Sequence, residues 1–143
     1  METVAQLLED KGSVVWTIRP DASVFEAIEM MAEKGIGALV VVEANTIVGL
    51  VSERDYARSV VLKGRASRAT PIREIMTRRV ICARPEQSIK ECMALMTDKR
   101  VRHLPVVDGD RLCGLVSIGD LVKAIIIEQQ FIIEQLEHYI SSG

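Results

Sequence analysis

The sequence predicts a mixed α/β (α+β) fold in which two similar β-α-β-β-α units pack with pseudo-two-fold symmetry and a long helix follows. Three observations lead to this prediction. Residues 15–61 align without a gap on residues 80–126. Strand-like and helix-like apolar patterns follow one another in the same order in both copies. Residues 121–140 have the pattern of a single long helix.

Length and composition suit one compact domain or two small ones that share a core. The chain has 143 residues, of which 48% are apolar and only 3% aromatic, so the core is expected to be aliphatic. The longest apolar stretches, such as 38–42, are far shorter than the roughly 18 residues of a membrane span. The first residues lack the basic and apolar regions of a secretory signal. We therefore expect a cytoplasmic protein without a membrane segment.

Each copy begins with a short strand, predicted over 14–18 and 80–83. The strands stop before Pro20 and Pro85, because proline has no N–H to donate to a sheet. Of the 47 aligned positions, 15 are identical. The units are therefore expected to repeat one structure rather than to share a chance pattern.

A helix follows the strand in both copies. Ser23 with Glu26, and Ser88 with Glu91, have the spacing of a capping box. Both helices carry apolar stripes at helical spacing. These stripes consist of Val24, Ala27, Ile28 and Met31 in the first copy and Ile89, Cys92, Met93 and Met96 in the second.

Two further strands, joined by a short polar turn, complete the pattern. They are predicted over 38–42 and 47–51 in the first copy, and over 104–107 and 112–116 in the second. A second helix should then begin near the serine that follows each pair. One copy is close to the size at which a lone core is marginal, so the two copies are expected to pack together.

We divide the chain on this basis into a first repeat with an N-terminal helix over 1–66, a second repeat over 67–130, and a C-terminal helix over 121–143.

Both copies end in the motif Gly-Leu-Val-Ser-x-x-Asp, at Gly49–Asp55 and Gly114–Asp120. With this motif, the gapless repeat and the stretch Arg102–Asp108, the chain resembles a tandem cystathionine β-synthase (CBS) domain pair, also called a Bateman module. The resemblance implies a regulatory module that binds an adenine nucleotide, namely AMP, ADP, ATP, S-adenosylmethionine or NAD(H), in clefts between the repeats. It implies no catalysis and no catalytic cofactor.

The resemblance also implies which residues bind the ligand. In the family, each cleft combines the Ser/Thr-x-x-Asp of one repeat with the first two strands of the other. The first site would then consist of Ser52, Arg54, Asp55, Cys82, Ala83, Arg102, His103 and Leu104. The second would consist of Ser117, Asp120, Thr17, Ile18, Gly37, Ala38 and Leu39.

The implied roles are chemically coherent. An ionised aspartate can accept hydrogen bonds from both ribose hydroxyls, and a serine at a helix start can help to hold a phosphate. Apolar side chains and backbone amides at the strand ends can sandwich and recognise the adenine. Ser-x-x-Asp is also an ordinary helix cap, and both roles are open to the same residues.

The two sites are not equivalent. Arg102 and His103 align with Gly37 and Ala38, which carry no charge.

Arg54 likewise aligns with Gly119. Guanidinium groups suit phosphate geometry. The Asp55 site is therefore the first choice for a tightly held phosphate.

The segment between the copies is strongly basic, with eight basic and two acidic residues over 54–79. Lys63, Arg65 and Arg68 lie in a polar linker that is either a solvated loop or a cover for a ligand with two or more phosphates. Thr70 before Pro71 predicts a helix N-cap with proline at the first position. Nucleic acid is a weaker explanation, because the five aromatic residues form no stacking cluster.

Apolar residues of the C-terminal helix wrap around more than one face. They are Ile125, Ile126, Ile127, Phe131, Ile132, Ile133, Leu136, Tyr139 and Ile140. An apolar area of this kind usually marks an interface. We expect a homodimer through these helices, which the resemblance also implies; the alternative is docking of an effector protein.

Metal, disulfide and catalytic sites are not predicted. Cys82, Cys92, Cys113, His103 and His138 have no metal-ligand spacing.

Residues 35–37 lack the third glycine of a dinucleotide fingerprint, and no Walker A motif is present.

The sequence therefore favours a stand-alone ligand sensor of signal transduction. Two alternatives stay open: a structural or interaction module with empty clefts, and a nucleic-acid binder that uses residues 54–79.

Overall fold

The computed structural model describes residues 3–142 and confirms a mixed fold of short strands and helices that ends in a long C-terminal helix. In chain order its elements are α1 (Val4–Lys11), β1 (Thr17–Ile18), α2 (Val24–Lys34), β2 (Ala38–Glu43), β3 (Thr46–Ser52), α3 (Glu53–Tyr56), a π-helix (Ala57–Val61), a 3₁₀ helix (Ile72–Glu74), α4 (Ile89–Lys99), β4 (His103–Asp108), β5 (Arg111–Ser117) and α5 (Ile118–Ser142). No helix in this range is long and apolar enough to cross a membrane.

Both copies form the predicted hairpin with the same register. Strand β2 pairs antiparallel with β3, and β4 pairs antiparallel with β5. Each hairpin has a register irregularity at the equivalent place, after Val41 in the first and after Val106 in the second. The equivalent bulges show that the duplication extends to backbone detail.

The first strand of each repeat is shorter than predicted. In the first repeat, β1 covers only Thr17–Ile18 and pairs in parallel with β2. In the second, the predicted strand over 80–83 is reduced to a single bridge between Ala83 and Val106. The prediction of a full strand there is wrong. Pro105 aligns with Val40, whose N–H donates to the Trp16 carbonyl at 3.4 Å, and proline lacks the N–H for the equivalent bond.

The helix caps largely follow the sequence pattern. Ser88 and Glu91 form a complete capping box, with the Glu91 N–H donating to Ser88 Oγ at 3.0 Å and the Ser88 N–H to Glu91 Oε1 at 3.5 Å. Ser23 accepts the Glu26 N–H at 3.1 Å, and the α2 cap consists of this one bond. The prediction of a full box at Ser23 is therefore only half right.

Thr70 is not the predicted helix cap. Its hydroxyl donates to the Ala66 carbonyl at 2.8 Å, which ties it into the preceding turn. Pro71 takes the cap position of the 3₁₀ helix that follows.

The chain separates into two compact units. Residues 3–13, together with residues 81–142, form the repeat-2 unit, and Val14–Val80 form the repeat-1 unit. This differs from the division expected from the sequence, in which α1 accompanies the first repeat. The physical reason is that Val4, Leu7 and Leu8 belong to the repeat-2 core.

Each unit has its own aliphatic core. In the repeat-2 unit, α1 packs with Ala83, Ile89, Cys92, Met96, Leu104, Val106, Val116, Leu121 and Ala124. The repeat-1 core consists of Ile18, Val24, Ala27, Met31, Leu39, Val41, Val51, Val60, Ile72, Ile75 and Met76. Cys92 is buried, as its place on the apolar stripe predicts.

Helix α1, which precedes the first repeat, and residues 70–77, which precede the second, form equivalent backbone hydrogen bonds. In the repeat-2 unit, the Val4 N–H donates to the Gln87 carbonyl at 2.9 Å. In the repeat-1 unit, the Ile72 N–H donates in the same way to the Ala22 carbonyl at 2.9 Å. Residues 70–77 thus cover the repeat that precedes them in the chain, and α1 covers the other repeat.

Two equivalent glycines allow these covering segments to approach the hairpins. A Cβ on Gly114 would lie 2.7 Å from Leu8 Cδ2, and all its near neighbours are Leu8 side-chain atoms. A Cβ on Gly49 would lie 2.5 Å from Met76 Sδ and 3.0 Å from the Thr77 carbonyl oxygen. A side chain can rotate away, whereas Thr77 exchanges two backbone hydrogen bonds with Leu50.

Gly49→Ala should therefore destabilise the protein by about 1–3 kcal/mol, as overpacking does. Gly114→Ala should cost less, because only the Leu8 side chain has to move. Urea denaturation of both variants tests this order. A Gly114→Ala variant that is less stable than Gly49→Ala would contradict it.

Candidate functional site

The Ser-x-x-Asp motif of the repeat-1 unit forms a closed hydrogen-bonded box at the start of α3. The Ser52 N–H and Ser52 Oγ donate to Asp55 Oδ2 at 2.9 and 3.0 Å. The Asp55 N–H is 3.3 Å from Ser52 Oγ. Both residues are partly buried. The box therefore holds the carboxylate in one orientation at the end of β3.

The same arrangement recurs at the start of α5 in the repeat-2 unit. The Ser117 N–H donates to Asp120 Oδ2 at 2.8 Å, and the Asp120 N–H donates to Ser117 Oγ at 3.1 Å. A box of the same two residue types thus follows the second long strand of each hairpin. The predicted capping role of both serines is confirmed.

A backbone hydrogen bond connects the helix start in each box to the residue just before the preceding hairpin. The Glu53 N–H donates to the Gly37 carbonyl at 3.1 Å, and the Ile118 N–H donates to the Arg102 carbonyl at 2.9 Å. Strand register places Ala38 opposite Ser52.

It likewise places His103 opposite Ser117. Within each unit, the structure therefore brings the predicted residues 37–39 and 102–104 next to that unit's own Ser-x-x-Asp box.

Several predicted site residues turn their side chains into the cores. Leu39 and Leu104 are fully buried members of the two core clusters, as is Ala83. Such residues can offer a ligand backbone groups, but their side chains are already packed.

Among the remaining predicted residues, Ala38 and Ile18 are also buried, whereas Thr17 and Cys82 are exposed.

The predicted linker cations have partners inside the repeat-1 unit. The Arg65 guanidinium lies 4.0 Å from Glu74 Oε1. The Arg68 guanidinium lies 4.0 Å from the centre of the Phe25 ring. Lys63 is exposed. A phosphate role for Arg65 or Arg68 would therefore require these contacts to be exchanged.

Lys11 is a site residue that sequence reasoning missed. Its Nζ donates to Asp120 Oδ2 at 2.5 Å and to the Leu115 carbonyl at 2.6 Å. Burial raises the pKa of Asp120, but the hydrogen bonds from Lys11 and Ser117 outweigh it, so the net shift is downward. The sequence contains no signal for this pair, because its members are 109 positions apart.

A cavity of about 420 Å³ lies beside this ion pair, between α1 and the first half of α5. Asp10, Lys11, Asp120 and Lys123 supply its charged groups, and its other walls are apolar. Within residues 3–142, no group of three or more His, Cys, Asp or Glu side chains is arranged to hold a metal ion.

Comparison with known proteins identifies the repeats. The CBS domain model matches residues 4–62 and 72–127. The mitochondrial CBS domain-containing protein CBSX3 of Arabidopsis thaliana is 36% identical, over 99% of this chain and 73% of its own length.

Solved structures agree with this match. A protein with CBS domains from Burkholderia ambifaria MC40-6 superimposes with a TM-score of 0.85 at 56% identity, over 89% of this chain and 96% of the other. The CBS domain pair of protein MJ0100, solved in complex with 5′-methylthioadenosine and S-adenosyl-L-methionine, gives a TM-score of 0.76 at 25% identity, over 86% of this chain and 98% of its own. Because the family model matches both repeats and these relatives share the fold over most of the chain, the protein belongs to the CBS domain family and contains a tandem pair of CBS domains.

Proposed function

We propose that the protein is a non-catalytic regulatory module that binds adenosine-containing ligands at two sites, one centred on Asp55 and the other on Asp120. The observation that carries the proposal is the recurrence of one box geometry in both units, with serine-to-aspartate bonds of 2.9 and 2.8 Å. A helix cap alone explains each box. It does not explain why both repeats keep an aspartate, where glutamate would serve the cap equally well.

The chemistry of the box suits a ribose. The described contacts of each carboxylate use Oδ2. Oδ1 is therefore the oxygen we assign to a ribose hydroxyl, which can donate to it. The shorter aspartate side chain holds this oxygen close to the helix start, where backbone N–H groups also attract anions.

The relative with bound ligands supports adenosine as the common element. Protein MJ0100 was solved with 5′-methylthioadenosine and S-adenosyl-L-methionine. Both molecules carry the adenosyl group with a methyl-bearing sulfur at its 5′ carbon, and they differ in the aminocarboxypropyl group that S-adenosyl-L-methionine has on that sulfur. We propose the same class for this chain, with AMP, ADP, ATP and NAD(H) as the specific candidates.

A phosphate-bearing ligand is proposed for the Asp55 site. Arg54 lies in the first turn of α3 and is exposed, whereas its counterpart beside Asp120 is Gly119. Guanidinium groups hold phosphates through paired hydrogen bonds, which favours AMP or a larger nucleotide there.

Conservative aspartate variants test the two sites. Asp55→Asn keeps an oxygen that can accept the Ser52 N–H, but it replaces the other carboxylate oxygen with a donor. It should weaken adenosine binding at one site about tenfold or more, by loss of a charged hydrogen bond. Asp120→Asn should do the same at the other site. Isothermal titration calorimetry with AMP, ATP, NADH and 5′-methylthioadenosine measures both affinities.

A serine-only variant provides the control. Ser52→Ala removes the hydroxyl from the cap but retains the Asp55 carboxylate. It should therefore lower the free energy of unfolding and have a smaller effect on the free energy of ligand binding. Parent-like affinity in both asparagine variants would contradict the assigned residues.

The second candidate function is a structural or interaction module whose clefts stay empty. It is favoured by one observation, the apolar surface of α5. We define the α5 surface as the exposed residues Ile126, Ile127, Phe131, Ile132, Ile133, Leu136, Tyr139 and Ile140. Absence of binding by every nucleotide tested would favour this candidate.

We further propose that the α5 surface pairs with that of a second copy. Its exposed apolar residues are too numerous for a helix that remains in water. A closed dimer covers the same surface on both chains at once. An effector protein is the other occupant that the surface would suit.

A further inference from the structure

The two Ser-x-x-Asp boxes differ in the group that completes the hydrogen bonding of the aspartate. At Asp55, Oδ2 accepts from the Ser52 N–H and from the Ser52 hydroxyl. At Asp120, Oδ2 accepts from the Ser117 N–H and from the Lys11 ammonium. The Asp120 box thus adds a positive charge to its serine, and the described contacts of the Asp55 box include no such charge.

The position of Lys11 is set by the fold. Leu7 and Leu8 anchor α1 in the repeat-2 core, which brings the last residue of the helix to the end of β5. The Leu115 carbonyl provides a second acceptor at 2.6 Å. The Asp120 side chain is 25% exposed and that of Lys11 is 39% exposed, so the carboxylate is the more shielded of the two groups.

This pair affects any ligand that binds Asp120 through ribose hydroxyls. A ribose hydroxyl that donates to Oδ1 draws on the same carboxylate charge that the Lys11 ammonium already holds through Oδ2. An uncharged nucleoside offers the ammonium no anion in exchange. The neighbouring cavity, lined by Asp10 as well as Lys11, gives the lysine side chain room to move and another carboxylate to approach.

We infer that Lys11 is an internal competitor for the ligand at Asp120, and that it sets the lower affinity of this site for uncharged nucleosides. The inference rests on the proposed adenosine-binding function. The two sites then differ in nucleoside affinity because of a residue on α1, rather than because of residues on the ligand-binding strands. At low nucleoside concentration, the Asp55 site fills first.

The test measures adenosine and 5′-methylthioadenosine binding by titration calorimetry. Both probes are uncharged, so removal of a lysine has little long-range electrostatic effect on their affinity. The Asp55→Asn chain isolates the Asp120 site, and Lys11→Met is added to it. Methionine keeps the apolar length of the side chain and removes the ammonium. Affinity at Asp120 should rise about tenfold, the usual worth of a charged hydrogen bond.

Lys123→Met is the matched control. Lys123 lines the same cavity and carries the same charge, so its removal should change the affinity less than twofold. Thermal unfolding verifies that each variant is folded.

Unchanged or weaker nucleoside binding in the Lys11→Met chain would overturn the competitor role. An equal gain in affinity with Lys123→Met would overturn it too, because the effect would then come from the loss of any positive charge near the site and not from Lys11 itself. If the parent chain and every variant bind no adenosine compound, the proposed function itself fails. A parent chain that binds at Asp55, combined with no gain from Lys11→Met, rejects only the inference about Lys11.

Discussion

Leu7→Ala should destabilise the protein by about 2–5 kcal/mol, the usual cost of a truncated core leucine. Leu7 is only 3% exposed and belongs to the core that α1 shares with the second repeat. Its truncation leaves a cavity in the repeat-2 unit. The variant should therefore weaken residues 81–142, although the substitution lies before the first repeat. Urea denaturation measures the loss, and amide hydrogen exchange locates it.

Glu9→Ala provides the control, because Glu9 is an exposed residue of the same helix. It should change the unfolding free energy by less than about 0.5 kcal/mol. If Leu7→Ala mainly increased hydrogen exchange in residues 14–80, the assignment of α1 to the repeat-2 unit would be wrong.

Ile133→Glu should convert the proposed dimer to a monomer. Ile133 is an exposed member of the α5 surface, and a glutamate there would place an unpaired charge in the interface. Such a charge weakens association about a hundredfold or more. Analytical ultracentrifugation should give the parent twice the 15.9 kDa mass of the chain and give the variant the mass of one chain.

Gln130→Glu is the matched control, since it adds the same charge at an exposed polar position of the same helix. It should remain dimeric. A parent protein that sediments as a monomer, or an Ile133→Glu variant that keeps the parent mass, would contradict pairing through α5 and would favour an effector as the occupant.

The features that sequence reasoning predicted correctly depend on local interactions. The hairpins follow from pairs of short apolar runs joined by polar turns. The helix starts follow from Ser23, Ser88, Ser52 and Ser117, whose hydroxyls bond three residues ahead. The missing strand before Ala83 could have been anticipated as well. Pro105 removes the donor that this strand needs, but its effect falls on a segment more than twenty residues earlier in the chain.

The candidate site was predicted only in part. The repeated aspartates were visible because the duplication places Asp55 and Asp120 at equivalent positions. The burial of Leu39 and Leu104 was not visible, because an apolar residue at a strand start can face either a ligand or the core, and only packing distinguishes the two.

From the amino-acid order alone, one learns that the chain is duplicated, because the two copies align with each other. One also learns where the helices begin and that each repeat ends in the same Ser-x-x-Asp motif, because these features depend on residues close together in the chain. Only the folded structure shows that α1 packs on the second repeat and that Lys11 forms an ion pair with Asp120. Those contacts join segments about a hundred residues apart. These contacts depend on the shape and burial of the folded core, which the local sequence pattern does not specify.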